Sequence, residues 1–435
     1  MNFEQSQIVS TKSHSLIPGG CHTYAKGDDQ YPVLAPGFIL RGEGCHVWDV
    51  DGNEYIEYGM GLRSVTLGHA YPPVVEAAYR QMCLGTNFTR PSLIEVQCAE
   101  ELLNVVKGGE MVKFAKNGSD VTTAALKLAR AYTGRDMVAI CGDHPFFSTD
   151  DWFIGSTPMA AGIPRAIKDL TVKFRYNDLQ SVQAIFDQYP GKIACIFMEA
   201  ATTVDPLHNF LHEVQGLCRK EGALFILDEM ITGFRWHLGG AQQYYGVVPD
   251  LSAFGKAMAN GFSVAALVGK REIMERGGLL HDKERVFLLS TTHGAETHAL
   301  AACTKTIKTY KEEGVIERLW EKGGTLAERI NGLSRESGLS DFFQVIGKPC
   351  NLVYTTKDSE GNPSQAFRAL FLQETIKRGL LMPSLVVSFS HTDADIDKTV
   401  DGVGLALQVY SKALREGVDK YLVGRPVKPV FRSRN

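Results

Sequence analysis

Ala223-Leu224-Phe225-Ile226-Leu227-Asp228-Glu229 decides the fold class. A short unbroken apolar run of this kind, closed by charge, reads as a strand covered on both faces. Leu251-Ser252-Ala253-Phe254-Gly255-Lys256 repeats the pattern, with a lysine where the first has acids. Similar runs occupy residues 111–115, 137–141, 193–198 and 264–268. Segments of helical period lie around them at 72–83, 93–106 and 121–132. Strands alternating with helices imply crossover connections and an α/β architecture with a mostly parallel central sheet flanked by helices. Such sheets gather ligands at the carboxyl ends of their strands, which is where Asp228 and Lys256 stand.

The flanking sequence reads differently. Residues 38–41 and 45–49 are short strands joined by Gly42-Glu43-Gly44, and Asp51-Gly52-Asn53 turns the chain into a third strand at 54–58. After Thr306 come long helices, two strand candidates (342–346 and 350–355), another helix and a last one at 393–414. The expected organisation is an N-terminal segment (1–65) joining a small α+β domain (309–435), with a large domain (66–308) between. The basic tail from Arg425 to Asn435 reads as a solvated arm.

Composition narrows the function. Of 435 residues, 44% are apolar and 22% charged, so the chain can bury a core and is not disordered overall. A net charge of −3 gives no basic surface for nucleic acid. No run is long enough to span a membrane. The polar N-terminus has no signal-peptide core, and a cytoplasmic enzyme is expected. The nine cysteines are scattered without a CxxC pair, so neither a disulfide framework nor a metal site is expected.

Three stretches carry chemistry. In Lys113-Phe114-Ala115-Lys116-Asn117-Gly118-Ser119-Asp120 a strand runs into a helix start. The N–H groups there, with the Ser119 hydroxyl, suit a phosphate; Ser119 or Asp120 could equally be a plain N-cap. Asp228 at a buried strand end needs a cation, such as a protonated pyridine nitrogen, unless it only caps the following turn. Lys256 sits among small residues, where an amine loses its proton readily and becomes a nucleophile, unless it merely snorkels to water. A phosphate cradle, a strand-end Asp and a strand-end Lys, in that order, are what pyridoxal 5′-phosphate (PLP) requires.

The segment Leu227-Asp228-Glu229-Met230-Ile231-Thr232-Gly233-Phe234-Arg235, continuing through residues 240–251 to Gly255-Lys256, resembles the signature of the class III (subgroup II) aminotransferase family. Ile17-Pro18-Gly19-Gly20, Val47-Trp48-Asp49-Val50-Asp51-Gly52, Gly68-His69, Leu128–Arg135 and Asp393–Asp397 are similar to its glutamate-1-semialdehyde 2,1-aminomutase branch. The likeness covers nearly the whole chain. It implies the PLP-dependent transferase fold of type I and a homodimer with active sites at the interface.

By position, the resemblance makes Lys256 the Schiff-base lysine and proton shuttle, and Asp228 the partner of the pyridine nitrogen. Met230 packs on one face of the ring. Gly118, Ser119 and Asp120 hold the phosphate, Glu199 lies near the phenolic side, and Thr291 reaches the phosphate of the neighbouring subunit. A tyrosine usually stacks on the ring; counting puts His144 there, with Phe146 as the other choice.

Substrate-facing positions depart from the aminomutase. An arginine that holds its substrate carboxylate is replaced by Lys26, a point charge without the bidentate fork. A tryptophan is replaced by Leu62, and Met382–Phe389 lacks a glutamate. Arg63, in a Gly-containing loop at the substrate entrance, is either an anion clamp or a surface arginine. The expected reaction is therefore ping-pong amino transfer from a donor such as L-glutamate to an aldehyde or ketone. Sugar- and polyol-like carbonyls are among those to test, and the intramolecular aminomutase reaction is the alternative.

Overall fold

The computed structural model describes residues 1–434. Its thirteen strands are β1 (Ile39–Glu43), β2 (His46–Asp49), β3 (Glu54–Glu57), β4 (Met111–Ala115), β5 (Met137–Cys141), β6 (Thr171–Phe174), β7 (Ile193–Glu199), β8 (Leu224–Asp228), β9 (Leu251–Phe254), β10 (Ala265–Gly269), β11 (Phe343–Lys348), β12 (Asn351–Thr356) and β13 (Leu380–Leu381). The chain divides into two compact units, one of Met1–Tyr71 with Glu317–Arg432 and the other built on Pro72–Ile316.

The larger unit holds a seven-stranded sheet in the order β4-β10-β9-β8-β7-β5-β6. Only β10 runs against its neighbours β4 and β9; the others are parallel. Every residue of β5, β7 and β8 is buried, which explains their unbroken apolar runs. The helix Gly118–Thr133 buries Val121, Ala124, Ala125, Leu128 and Ala129, the spacing of one helical face. It begins three residues earlier than its apolar period suggests. Asn117 is the N-cap, its Oδ1 accepting from Asp120 N at 3.0 Å, so neither Ser119 nor Asp120 fills that role. Gly134 ends it in the left-handed conformation.

The smaller unit carries a four-stranded sheet, β1-β2-β3-β13, and the hairpin β11–β12. The buried Asp49 organises the turn between β2 and β3. It accepts from Asp51 N, Asn53 N, Asn53 Nδ2 and the Tyr55 hydroxyl, leaving little of its charge unsatisfied. β3 pairs in parallel with β13, and just past it the chain makes an unusual turn. Met60, Gly61, Leu62 and Arg63 all have positive φ, at 41°, 57°, 57° and 71°. Three of these are not glycine, and each costs about 1–2 kcal/mol.

The basic tail is not a solvated arm. Arg432 Nη2 lies 2.6 Å from Asp29 Oδ2, Arg425 Nη2 donates to Asp28 O at 2.8 Å, and Val427 is buried. Acids near the N-terminus, distant in sequence, supply the partners. None of the nine cysteines is in a disulfide. No helix among the described residues is long and apolar enough to cross a membrane.

Candidate active site

β7 ends at Glu199 and β8 at Asp228, and the two are register partners in the parallel sheet. Asp228 also lies opposite Ala253 of β9, whose chain continues through Gly255 to Lys256. Two acids and an amine thus leave one carboxyl edge on adjacent strands, which run roughly 4.8 Å apart. Lys256 opens a short 3-10 turn with φ of 46°, a left-handed conformation that side chains rarely adopt. The Tyr310 hydroxyl holds that turn by donating to Ala257 O at 2.6 Å. Strain of this kind gathers where a side chain must be aimed.

The acidic pair splits by environment. Glu229 accepts from Ala241 N at 2.9 Å, from Gln242 N at 2.7 Å and from the Thr232 hydroxyl. It caps the short helix Ala241–Tyr244 and is committed to structure. Asp228 accepts a single hydrogen bond among the described residues, from Met230 N at 2.8 Å. Burial pushes its carboxyl up to about 6, against the pull of the Lys256 charge and the Met230 N–H. A buried carboxylate this thinly supplied with donors fits a cationic partner brought by a ligand.

The anion end is next to it. The first-turn N–H groups of the helix Gly118–Thr133 have no intrahelical acceptors, and Ser119 Oγ accepts from Thr149 N at 3.0 Å while keeping its own proton to donate. Asp120 is held by Asn117 Nδ2 at 2.9 Å, and burial raises its carboxyl, reinforced by Asp150. Met230 links the two halves. A Cβ on Gly118 would lie 3.0 Å from its Sδ, and one on Gly255 only 2.6 Å away. Gly255 is extended, so its need for glycine is spatial and not a matter of φ.

His144 and Phe146 differ clearly. His144 Nδ1 accepts from Glu199 N at 3.0 Å, which leaves the ring proton on Nε2, a buried atom with no partner. Burial pushes its pKa down to about 4, so the ring is neutral. Phe146 is 40% exposed and leans edge-on against Phe153. Sequence reading missed Tyr176. Its ring lies 5.0 Å from that of His144, and its hydroxyl donates to Ala200 O at 2.7 Å. It follows β6, a strand without a strong apolar signal, so nothing local marks it.

Thr291 is exposed, on a segment tied to this region by Lys116–Glu296 and His293–Glu296 ion pairs and by Asn87 Nδ2 donating to Thr292 O. Lys26 and Arg63 belong to the smaller unit. Lys26 is exposed in the turn Tyr24–Lys26, whereas Arg63 Nε donates to Asn351 Oδ1 at 2.7 Å.

The cluster in the larger unit fits PLP on three counts. It has an anion cradle at a helix start, a buried acid in need of a cation, and an amine just past the end of the neighbouring strand. Comparison with known proteins agrees. Residues 24–401 match the family model described as Aminotransferase class-III. The glutamate-1-semialdehyde 2,1-aminomutase of Desulforamulus reducens is 31% identical, over 94% of this chain and 99% of that one. Its counterpart in Acetivibrio thermocellus is 32% identical over 93% and 98%. Among solved structures, the FumI protein of Sphingopyxis sp. MTA144, in a PLP form, superposes with TM-score 0.85 at 26% identity, covering 97% of this chain and 98% of that one. An omega-transaminase from Sphaerobacter thermophilus shares the fold with TM-score 0.85 at 24% identity, over 94% and 100%. The chain belongs to the class III aminotransferase family and is a PLP-dependent enzyme.

Proposed function

We propose that this enzyme moves an amino group between two separate small molecules, from a donor such as L-glutamate to an aldehyde or ketone. The observation that carries the reading is the convergence of Glu199, Asp228 and Lys256 on one sheet edge beside a helix-start anion cradle. PLP, when bound, supplies the carbonyl that takes the donor's amino group and a ring that accepts electrons.

The chain's own residues divide the remaining work. Lys256 Nζ would anchor the cofactor and serve as the base that moves a proton, which needs a neutral amine near an apolar wall. Asp228 would keep a proton on the pyridine nitrogen, and Glu199 would lie near the phenolic side. Gly118, Ser119 and Asp120 orient the phosphate end. Met230 would cover one face of the ring and His144 the other, with its buried Nε2–H left to donate to an acceptor from ligand or substrate. Arg63 and Lys26 are assigned by resemblance to recognise an acidic group of donor or acceptor. Sugar- and polyol-like carbonyls belong in the first acceptor panel.

The same reading includes a homodimer, with Thr291 donating to the phosphate bound by the partner subunit. Leu279, Leu280 and Phe287, just before it, are 76%, 86% and 71% exposed, more apolar surface than one short segment leaves in water without reason. It also places the enzyme in the cytoplasm, where its free thiols stay reduced.

The test is a half-reaction. PLP-loaded enzyme is mixed with excess L-glutamate, then with other amines, while the visible cofactor band is followed. Bleaching with release of 2-oxoglutarate supports transfer between molecules. The second reading, an aminomutase working within one substrate, draws on the 31–32% identity to curated aminomutases. Silence towards every donor, with turnover of a 4,5-diamino acid, would establish it instead.

A further inference from the structure

Three side chains with metal-binding atoms meet in the smaller unit, apart from every residue assigned above. Cys45 and His46 stand at the start of β2. Asp395 lies in the first turn of the helix Asp393–Glu416, 350 residues from Cys45. Cys45 Sγ is 3.3 Å from Asp395 Oδ2, and His46 Nε2 is 3.0 Å from Oδ1. The three ligand atoms all lie within 4.8 Å of one another.

Zinc binds sulfur at about 2.3 Å and nitrogen or oxygen at about 2.0–2.2 Å, so a tetrahedral ion holds its ligand atoms roughly 3.3–3.7 Å apart. The two contacts to Asp395 need to open by only a few tenths of an ångström to reach that spacing, and the third pair lies within 4.8 Å. Cys45 and Asp395 are buried and His46 half-buried, so the ligands are already largely withdrawn from water.

A second feature is independent of those distances. The far nitrogen of His46, Nδ1, lies 2.8 Å from Glu54 Oε1 on β3, although not aligned as a hydrogen bond. A carboxylate behind a histidine is the usual outer partner of a metal-bound imidazole, fixing its tautomer and orientation. Asp395 is braced as well, since Thr392 N and Oγ1 both donate to Oδ2. The helix cap explains why Asp395 is present. It does not explain a buried thiol and a two-carboxylate histidine converging on it. Lys322 is the nearby cation, with its Nζ tied to Phe389 O at 2.6 Å.

We propose that Cys45, His46 and Asp395 bind one divalent transition-metal ion of the zinc class, with water in the fourth position and Glu54 as outer partner. A thiolate with an imidazole selects zinc or cobalt over magnesium or calcium. On binding, the S–H bond of Cys45 gives way to a sulfur–metal bond, its proton leaves to solvent, and no electrons are transferred. The ion pins the start of β2 to the beginning of the last long helix, a structural role separate from amino transfer. The long sequence separation hides the site from any spacing motif.

The experiment uses tag-free holoenzyme, stripped with a chelator and dialysed against micromolar zinc or cobalt. We expect one ion per chain by elemental analysis, cobalt ligand-field bands in the red away from the cofactor's absorption, and a melting temperature raised by several degrees. Cys45→Ser and His46→Gln should abolish all three while retaining cofactor. Should either variant fail to fold, Glu54→Gln keeps every ligand and should weaken affinity about 10- to 100-fold. Wild-type enzyme that retains no metal would overturn the proposal, as would retention unchanged in the variants.

Discussion

His144 and Glu199 are joined through the backbone, the imidazole Nδ1 accepting from the Glu199 amide at 3.0 Å. That bond fixes the ring proton on Nε2 and binds the loop after β5 to the end of β7. Glu199 is in turn the register partner of Asp228, so His144 sits one strand away from the candidate cofactor edge.

His144 should shape the acid limb of stability. Burial lowers its pKa from 6.5 to about 4, so the unfolded chain takes up the proton first. Its contribution is complete above 6.5 and is lost as pH falls towards 4. His391, lowered to about 3 by burial, acts in the same direction. Melting curves of His144→Phe should show a lower Tm throughout, from a stranded amide costing about 1–3 kcal/mol, but a flatter slope between pH 4 and 6.5. An unchanged slope would refute the neutral buried ring.

Asp228 predicts the opposite pH dependence. Burial raises its carboxyl from 3.8 to about 6, so the cofactor-free fold loses stability as pH climbs through that window. A protonated pyridine nitrogen cancels the penalty. The Tm gain on adding PLP should therefore be larger at pH 8 than at pH 5, and Asp228→Asn should shrink that difference. The phosphate of PLP titrates in the same range, which makes the variant the necessary control. Turnover of Asp228→Asn should fall by at least about 100-fold.

Gly255 and Met230 offer a packing test. A Cβ at 255 would meet Met230 Sδ at 2.6 Å and displace that side chain, on the proposed reading into the space of the cofactor ring. Gly255→Ala should weaken PLP binding about 10-fold, in line with overpacking costs of about 1–3 kcal/mol. Adding Met230→Ala should recover part of the loss. Equilibrium dialysis of both variants and the pair decides, and simple additivity would show that the contact does not matter.

Arg63 and Asn351 test the proposed contact with an acidic substrate. Arg63→Ala should raise KM for a carboxylate-bearing substrate about 100-fold with little change in kcat. Asn351→Ala removes only the acceptor on Nε and should raise it less, about 5- to 10-fold. Matched KM values for acidic and neutral substrates in Arg63→Ala and wild type would mark Arg63 as structural.

The sequence by itself determined six of the seven strands of the large sheet, all but β6, and the edge on which Asp228 and Lys256 lie. Strand ends follow from short apolar runs closed by Asp228, or followed by Gly255-Lys256, and those signals are local. Asp228 and Glu229 are neighbouring acids in the chain. The fold shows what separates their environments, because the amides of Ala241 and Gln242 come from a later turn to satisfy Glu229 and not Asp228. The difference between His144 and Phe146, two residues apart, likewise depends on which side chain the end of β7 covers. Tyr176, the docked tail and the left-handed turn at Met60–Arg63 had no local signal, since each exists through partners far along the chain. Periodicity and charge at a boundary reveal elements, whereas burial and hydrogen-bond partners arise only when those elements meet.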